Sequence, residues 1–270
     1  MSYQNFKATV WSKFIQLELE RKCILAEWCN TKFEGDAKHN EIVKILGVGT
    51  PTIGTYTGAS IGSPEAVADE AAYLKIDQAK FFNFAIDDVD KAQAQAGLME
   101  ALLKNTTRAM AKERDSFIAL QASLAPNITA STQIDTAAKA KTAVDAGLTL
   151  LRENDVDVSD EVVIELPYFM YRLFKDNLVE LKTNNDDLIK KGIVGMYDNC
   201  MVRTSNNLYN DGTDTHAMIR TKDAIAFAGG IDETEAYRPE TLFSDAMKGL
   251  NTFGAKIVRP KEIYVMKVKK

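Results

Sequence analysis

Between residues 72 and 124 a two-residue apolar alternation passes directly into a helical one, with no linker between them. Leu74, Ile76, Phe82, Phe84 and Ile86 fall on one face of an extended chain, interrupted only by Gln78 and Lys80. From Val89 the spacing changes to threes and fours. Val89, Ala92, Ala96, Met99, Leu103, Met110, Phe117, Leu120 and Leu124 make one stripe, broken only by polar Thr106 and Glu113. The stripe predicts a helix of roughly 37 residues, on the order of 55 Å long at about 1.5 Å per residue. A rod about three times the ordinary helix length, too polar on its other faces to cross a membrane, reads as a scaffold beam. Asp87, Asp88 and Asp90 bring a cap and negative charge to its start, and Pro126 stops it. Gly97 is the weak link within it, costing about 1 kcal/mol relative to alanine.

The composition, 46% hydrophobic and 26% charged over 270 residues, is that of globular material able to build two modest cores or one elongated one. A net charge of −5 argues against a surface that grips nucleic-acid phosphates through clustered Lys and Arg. Lys267, Lys269 and Lys270 form a small basic cluster that reads as a solvated tail. The first nine residues are polar, no apolar run reaches the roughly 18 residues of a membrane span, and the expectation is a protein kept in the cytosol.

No chemistry converges. Cys23, Cys29 and Cys200 lack the spacing of a zinc or redox site and read as buried or idle thiols. His39 and His216 lie far apart, and no Gly-x-Ser-x-Gly elbow accompanies them. The run Gly47-Val48-Gly49-Thr50-Pro51 lacks the Lys-Ser/Thr ending of a phosphate loop and reads as a bent strand. The pairs Asp186-Asp187 and Asp232-Glu233 read as solvated loops. Catalytic, cofactor-binding and metal-binding residues are therefore expected to be none.

The remaining organisation is that of an α+β chain. Residues 9–28 predict a helix with a wide apolar surface that needs a partner (Val10, Trp11, Phe14, Leu17, Ile24, Trp28). Residues 41–57 are β-prone and predict a long hairpin with residues 72–86. Its tip, residues 58–64 followed by Glu65, Asp69 and Glu70, has too few large apolar groups to build a core. A long two-stranded arm is marginal alone, which points to a neighbouring subunit. Beyond the beam, residues 135–154 predict a helix, 162–166 a buried strand, and 167–177 a helix with Pro167 in its first turn. Residues 188–191 close on Gly192, and 193–203, 217–220, 224–228 and 256–267 are strand-like.

This order of parts resembles the major capsid proteins of tailed bacteriophages with the HK97-type fold, in particular the P22-like coat branch. The segment from Ile76 through Asp77, Gln78, Phe82, Phe84, Ile86, Asp87, Asp88 and Val89 to Ala94 is similar to that family's passage from hairpin to spine. Ile193-Val194-Gly195, Val202 and Thr204-Ser205-Asn206-Asn207-Leu208 resemble its inner-domain strand. Gly249-Leu250 and Gly254-Ala255-Lys256-Ile257-Val258-Arg259-Pro260 resemble its returning terminal segment.

The resemblance implies an amino-terminal arm over residues 1–40, an extended hairpin or E-loop over 41–86, and a P-domain spine with its connection over 87–134. It further implies a mixed α/β A-domain over 135–239 and a return to P-domain strands over 240–270. Its implied function is self-assembly, as pentamers and hexamers, into an icosahedral shell enclosing double-stranded DNA without sequence-specific binding, in a virion assembled in the host cytoplasm. Implied partners are other copies of the chain, a portal and a separate scaffolding protein, the last because the spine starts too early for a large fused scaffold. Contact candidates between subunits are Trp11, Phe14 and Trp28 on the arm, and Tyr56, Gly58, Ile61, Pro64, Glu65, Asp69 and Glu70 on the hairpin. The alternatives are an encapsulin-like compartment around a protein cargo and, more remotely, a cytosolic α/β enzyme.

Overall fold

The computed structural model describes residues 23–32, 42–48, 53, 55, 69–87, 98–156, 161–176, 193–241 and 243–270. Among them the strands form three sheets. β1 (Ile42–Val48) and β2 (Asp69–Lys75) make an antiparallel pair. β3 (Gln78–Asp87), β9 (Ile225–Tyr237) and β10 (Ser244–Ile257) make a sheet of order β3-β10-β9. β4 (Thr132–Gln133), β5 (Val162–Leu166), β6 (Ile193–Tyr197), β7 (Cys200–Thr204), β8 (Thr215–Thr221) and β11 (Ile263–Lys269) make a mixed sheet of order β4-β11-β8-β5-β7-β6. Helices α1 (Leu98–Leu120), α2 (Ala137–Glu153) and α3 (Tyr168–Asp176) complete an α+β architecture.

The apolar alternation over residues 72–86 is two strands in two sheets, where the sequence predicts one. β2 pairs with β1, from Ile42↔Lys75 to Val48↔Asp69, whereas β3 pairs with β10, from Phe253↔Gln78 to Ser244↔Asp87. The change of partner falls at Ile76 and Asp77, beside the polar interruptions Gln78 and Lys80. Val43, Ile45, Leu74 and Ile76 pack on Ala226 and Ala228 of β9 and so root the hairpin in the subunit. Gly254 of β10 makes this approach possible, because a Cβ there would stand 2.3 Å from the Lys75 carbonyl oxygen. Earlier in the same strand, Gly249 lies opposite Phe82, whose ring occupies the space a side chain would need.

α1 lies on the face of the three-stranded sheet that presents Phe82, Phe84 and Met247, with Leu103 between them. Farther along, Met110, Ala111, Ile118 and Ala119 enter a larger core with Phe227, Phe253 and Val265. The buried stripe differs from the one read in the sequence. Leu120 and Leu124 are exposed, Leu124 by 69%, while Ile118 and Ala119 are fully buried. A strict seven-residue step through residues 103, 110 and 117 drifts by about 20° per heptad against a straight helix of 3.6 residues per turn, so Phe117 is only partly buried, and Leu124 lies beyond the α-helix. The rod ends in a 3-10 turn, Gln121–Leu124, before Pro126. Its predicted start, with Asp88, Asp90 and Gly97, lies outside the described residues.

The six-stranded sheet carries the second core. α2 matches the helix read at residues 135–154, and Thr136 caps it by accepting from the Lys139 N–H. Its face of Ala140, Val144, Leu148 and Leu151 packs on β8 and β11. β5 is buried at all five positions, the pattern of a central strand, and α3 follows Pro167 as expected. Residues 193–203, read as strand-like, form the β6–β7 hairpin around Asp198 and Asn199, both left-handed at φ 48° and 60°.

Several expectations are corrected. Residues 23–30 contain a 3-10 turn, Ala26–Trp28, in place of the end of a long helix; residues 9–22 lie outside the described residues. Residues 244–255 of β10 carry no strand signal of their own, because Gly249, Asn251 and Gly254 dilute the β-propensity; a strand there is implied by the resemblance alone, and it forms because it is paired on both sides. The strand read at 256–267 begins only at Ile263, after a turn at Pro260. Lys267 and Lys269 belong to β11 and so to a strand, while Lys269 and Lys270 are exposed to solvent as expected, with Lys270 Nζ 5.8 Å from the Phe169 ring. The helical stretch at 188–191 lies outside the described residues. β9 joins β10 in the three-stranded sheet, and β11 joins β8 in the six-stranded one.

Gly254→Ala forces β10 away from the β2–β3 switch, and the expected cost is about 1–3 kcal/mol of subunit stability, read by urea unfolding of unassembled chains. An unchanged midpoint would show that the close approach is not required.

Candidate assembly site

Residues 23–30 are the point where the amino-terminal segment meets α1, the six-stranded sheet and β9. The Asp115 carboxylate of α1 accepts hydrogen bonds from the N–H groups of Ile24 and Leu25, at 3.0 Å each, and of Ala26 at 3.4 Å. Asn207 Nδ2 donates to it as well, at 3.4 Å. Burial raises the Asp115 pKa, and the N–H donors act against that shift by stabilising the anion.

The carbonyls of the same turn face the six-stranded sheet. Arg220 of β8 donates to Leu25 O at 3.3 Å and to Trp28 O, while its Nε and Nη2 reach the two carboxylate oxygens of Glu165 at 3.1 and 2.9 Å. Neither side chain of this fork-to-fork pair is exposed. Burial opposes the charge on Arg220, and the Glu165 carboxylate overrides it, holding the guanidinium pKa above its ordinary value. Arg203 of β7 donates to Glu27 at 3.2 Å and lies 5.4 Å from the Trp28 ring, with Lys222 Nζ at 5.7 Å from the same ring. Burial lowers the Arg203 pKa, and Glu165 and Glu27 counter it. The backbone completes the joint: Asn30 N donates to Ile225 O at 2.8 Å, and Phe227 N donates to Asn30 O at 3.0 Å. A single short segment thus clamps α1, the six-stranded sheet and β9 together.

Of the contact candidates read from the sequence, Trp28 lies in this joint, partly buried against its own subunit. Asp69 and Glu70 stand in β2, opposite Val48 and Gly47. Trp11, Phe14, Tyr56, Gly58, Ile61, Pro64 and Glu65 lie outside the described residues. The structure adds exposed apolar positions on the three-stranded sheet, Phe81 beside its cross-strand partner Leu250 and, at the strand connection, Phe243. Sequence reasoning missed Asp115, Glu165, Arg203 and Arg220. A signal was present for the last three, since each interrupts an apolar strand (Val162-Val163-Ile164-Glu165-Leu166, for one), and a charge within such a run needs a buried partner.

The groups with potential chemistry stay apart. Cys23, Cys29 and Cys200 are buried and in no disulfide, and burial pushes the Cys29 thiol up to about 11. His216 is buried edge-on to Tyr209, with Nε2 3.5 Å from Asp211; His39 lies outside the described residues. Asp232 and Glu233 belong to β9 and not to a loop. Among the described residues no three His, Cys, Asp or Glu side chains are grouped to hold a metal ion, and no helix is long and apolar enough to cross a membrane.

No protein-family model matches the sequence, and no curated protein is significantly similar to it. Solved structures are similar over nearly the whole chain. A chain of Mycobacterium phage Che8 is 26% identical with a TM-score of 0.71, the match covering 89% of each chain. The capsid structure of cyanophage P-SCSP1u is 14% identical with a TM-score of 0.66, covering 90% of this chain and 86% of that one. A virus-like particle from Pyrococcus furiosus is 10% identical with a TM-score of 0.60, covering 94% and 96%. The class is thereby defined: the chain has the HK97-type capsid fold. Its neighbours in fold are mainly phage capsid structures, as the order of arm, hairpin and spine implied.

Removing one member of the buried pair leaves an uncompensated charge, so Glu165→Ala is expected to cost about 3–5 kcal/mol, whereas the double change Glu165→Met with Arg220→Met recovers much of it. Urea unfolding of both variants checks this; equal losses would mean the pair is not coupled. With its thiol held at about 11, Cys29 is expected to resist alkylation at pH 8 in the native subunit and to react after denaturation, as read by mass spectrometry.

Proposed function

We infer that this chain is the major capsid protein of a tailed bacteriophage, assembling with copies of itself as pentamers and hexamers into an icosahedral shell that encloses a double-stranded DNA genome. The observation that carries the reading is a capsid fold matched over 89% of the chain in combination with a rigid base for two extensions. The arm is fixed at residues 23–30 by Asp115, Arg203 and Arg220, and the hairpin is fixed by Leu74 and Ile76 on β9. Residues 1–22 and 49–68, carried on these bases, are the proposed contacts with neighbouring subunits.

The finer parts of the proposal are membership of the P22-like branch, a domain division near 41, 87, 135 and 240, a separate scaffolding protein, a portal, and assembly in the host cytoplasm. Catalysis, a cofactor and membrane binding form no part of it. Stability of the shell comes from many weak repeated contacts.

A second reading, an encapsulin-like compartment around a protein cargo, is favoured by the likeness to the Pyrococcus furiosus particle. Nuclease-resistant DNA in particles from the native source supports the phage reading; a co-purifying protein cargo without DNA supports the other.

Electron microscopy of the purified chain is expected to find rings or closed shells of uniform diameter, and a uniform monomer under all conditions would overturn the proposal. Replacing residues 58–70 with a short Gly-Ser turn is expected to leave thermal melting of the subunit near the parental value and to abolish or weaken shell closure. Calorimetry and sedimentation must be read together; parental shell yield and shell stability would show that the hairpin is not an assembly arm.

A further inference from the structure

The exposed face of α1 is a row of cations on an acidic chain. Lys104, Arg108 and Lys112 are all exposed and stand four residues apart, so each step advances about 6 Å along the rod and keeps them on one face. Between residues 101 and 124 the acids are Glu113 and Asp115 alone. Glu113 is held by Lys80 of β3 at 3.0 Å, and Asp115 is buried under the arm root. Neither is left to neutralise Arg108 and Lys112. Glu100 precedes Lys104 by one turn in sequence, which leaves Arg108 and Lys112 as the centre of the positive face.

The residues between the cations are small or neutral. Ala101, Asn105 and Ala109 are exposed beside them; among the residues whose burial is described, the exposed large apolar groups are Leu120 at the far end of α1 and Leu124 in the turn after it. A protein partner needs apolar anchors at the centre of its contact, and this face offers none there. A phosphate backbone needs only spaced cations on an unobstructed ridge.

We propose that Arg108 and Lys112, with Lys104, form a weak contact for the phosphate backbone of double-stranded nucleic acid. The inference rests on the shell reading and places this face of the spine toward the enclosed genome. Two or three phosphates per subunit give little affinity, and log K falls with log salt by about 0.9 for each phosphate neutralised. A contact of this strength, repeated on every subunit, orders the outer layer of packed duplex without arresting its entry. The net charge of −5 over the whole chain, these cations included, keeps the contact local.

The test measures anisotropy of a labelled 30-base-pair duplex with full-length chain kept as folded subunits, at about 50 and 200 mM salt. The parent is expected to lose about tenfold more affinity across that range than Arg108→Gln/Lys112→Gln, the difference made by two phosphate contacts. Both positions are exposed, and circular dichroism confirms that the variant is folded; Arg108→Glu/Lys112→Glu is expected to abolish retention at the lower salt. No duplex binding by the parent, or equal salt dependence of parent and variant, overturns the inference. Equal retention of polyglutamate, lost with the same substitutions, also overturns it and assigns the face to an acidic protein. Shell formation is scored separately by electron microscopy: shells without this binding leave the capsid reading intact, whereas absence of shells from the parent counts against that reading itself.

Discussion

The subunit depends on one short turn whose backbone is satisfied from two directions. The N–H groups of Ile24, Leu25 and Ala26 point to Asp115, and the carbonyls of Leu25 and Trp28 point to Arg220. A segment of this kind has no ladder of its own, so its buried polar groups must be paired by side chains. The side chains supplying those pairs belong to the spine and to the six-stranded sheet. Order in the turn therefore fixes the relation of the spine to that sheet, and Asn30 adds β9 through the backbone.

Charges carry this joint at a cost that apolar packing would not incur. An isolated buried Arg220 would be strongly unfavourable, and the bidentate Glu165 partner with two carbonyl acceptors makes it tolerable. The return is directionality. Leu25 and Cys29 fill space in the core beside Ile118 and Phe253, but apolar contact alone tolerates sliding, and a guanidinium fork does not.

Much of the architecture was legible because it follows from local period: α2, β5, α3 and the body of α1 are set by their own apolar spacing. The failures have physical causes. Residues 74, 76, 82, 84 and 86 keep one parity through two strands, so the change of sheet at Ile76 leaves no mark except the polar pair Gln78 and Lys80. β10, with glycine facing Phe82 and glycine facing the Lys75 carbonyl, has strand identity only through its neighbours. The arm root was hidden for the opposite reason. Asp115 looks like one more charge on an amphipathic helix, and only the tertiary placement of residues 24–26 gives it three donors.

The switch from β2 to β3 has a mechanical meaning. A neighbour pulling on the hairpin transmits its load through Ile76 into β3, along the axis of a strand paired with β10 from Gln78 to Asp87. Hydrogen bonds in an antiparallel ladder run across the strands, so a pull along β3 strains them in parallel and not one after another, as peeling would. Phe82 seated over Gly249 acts as a detent against slippage of that register. In the proposed shell, tension between subunits would be taken up as shear by the β3–β10 ladder, and internal pressure on a closed container would load this path along the strand instead of unzipping it.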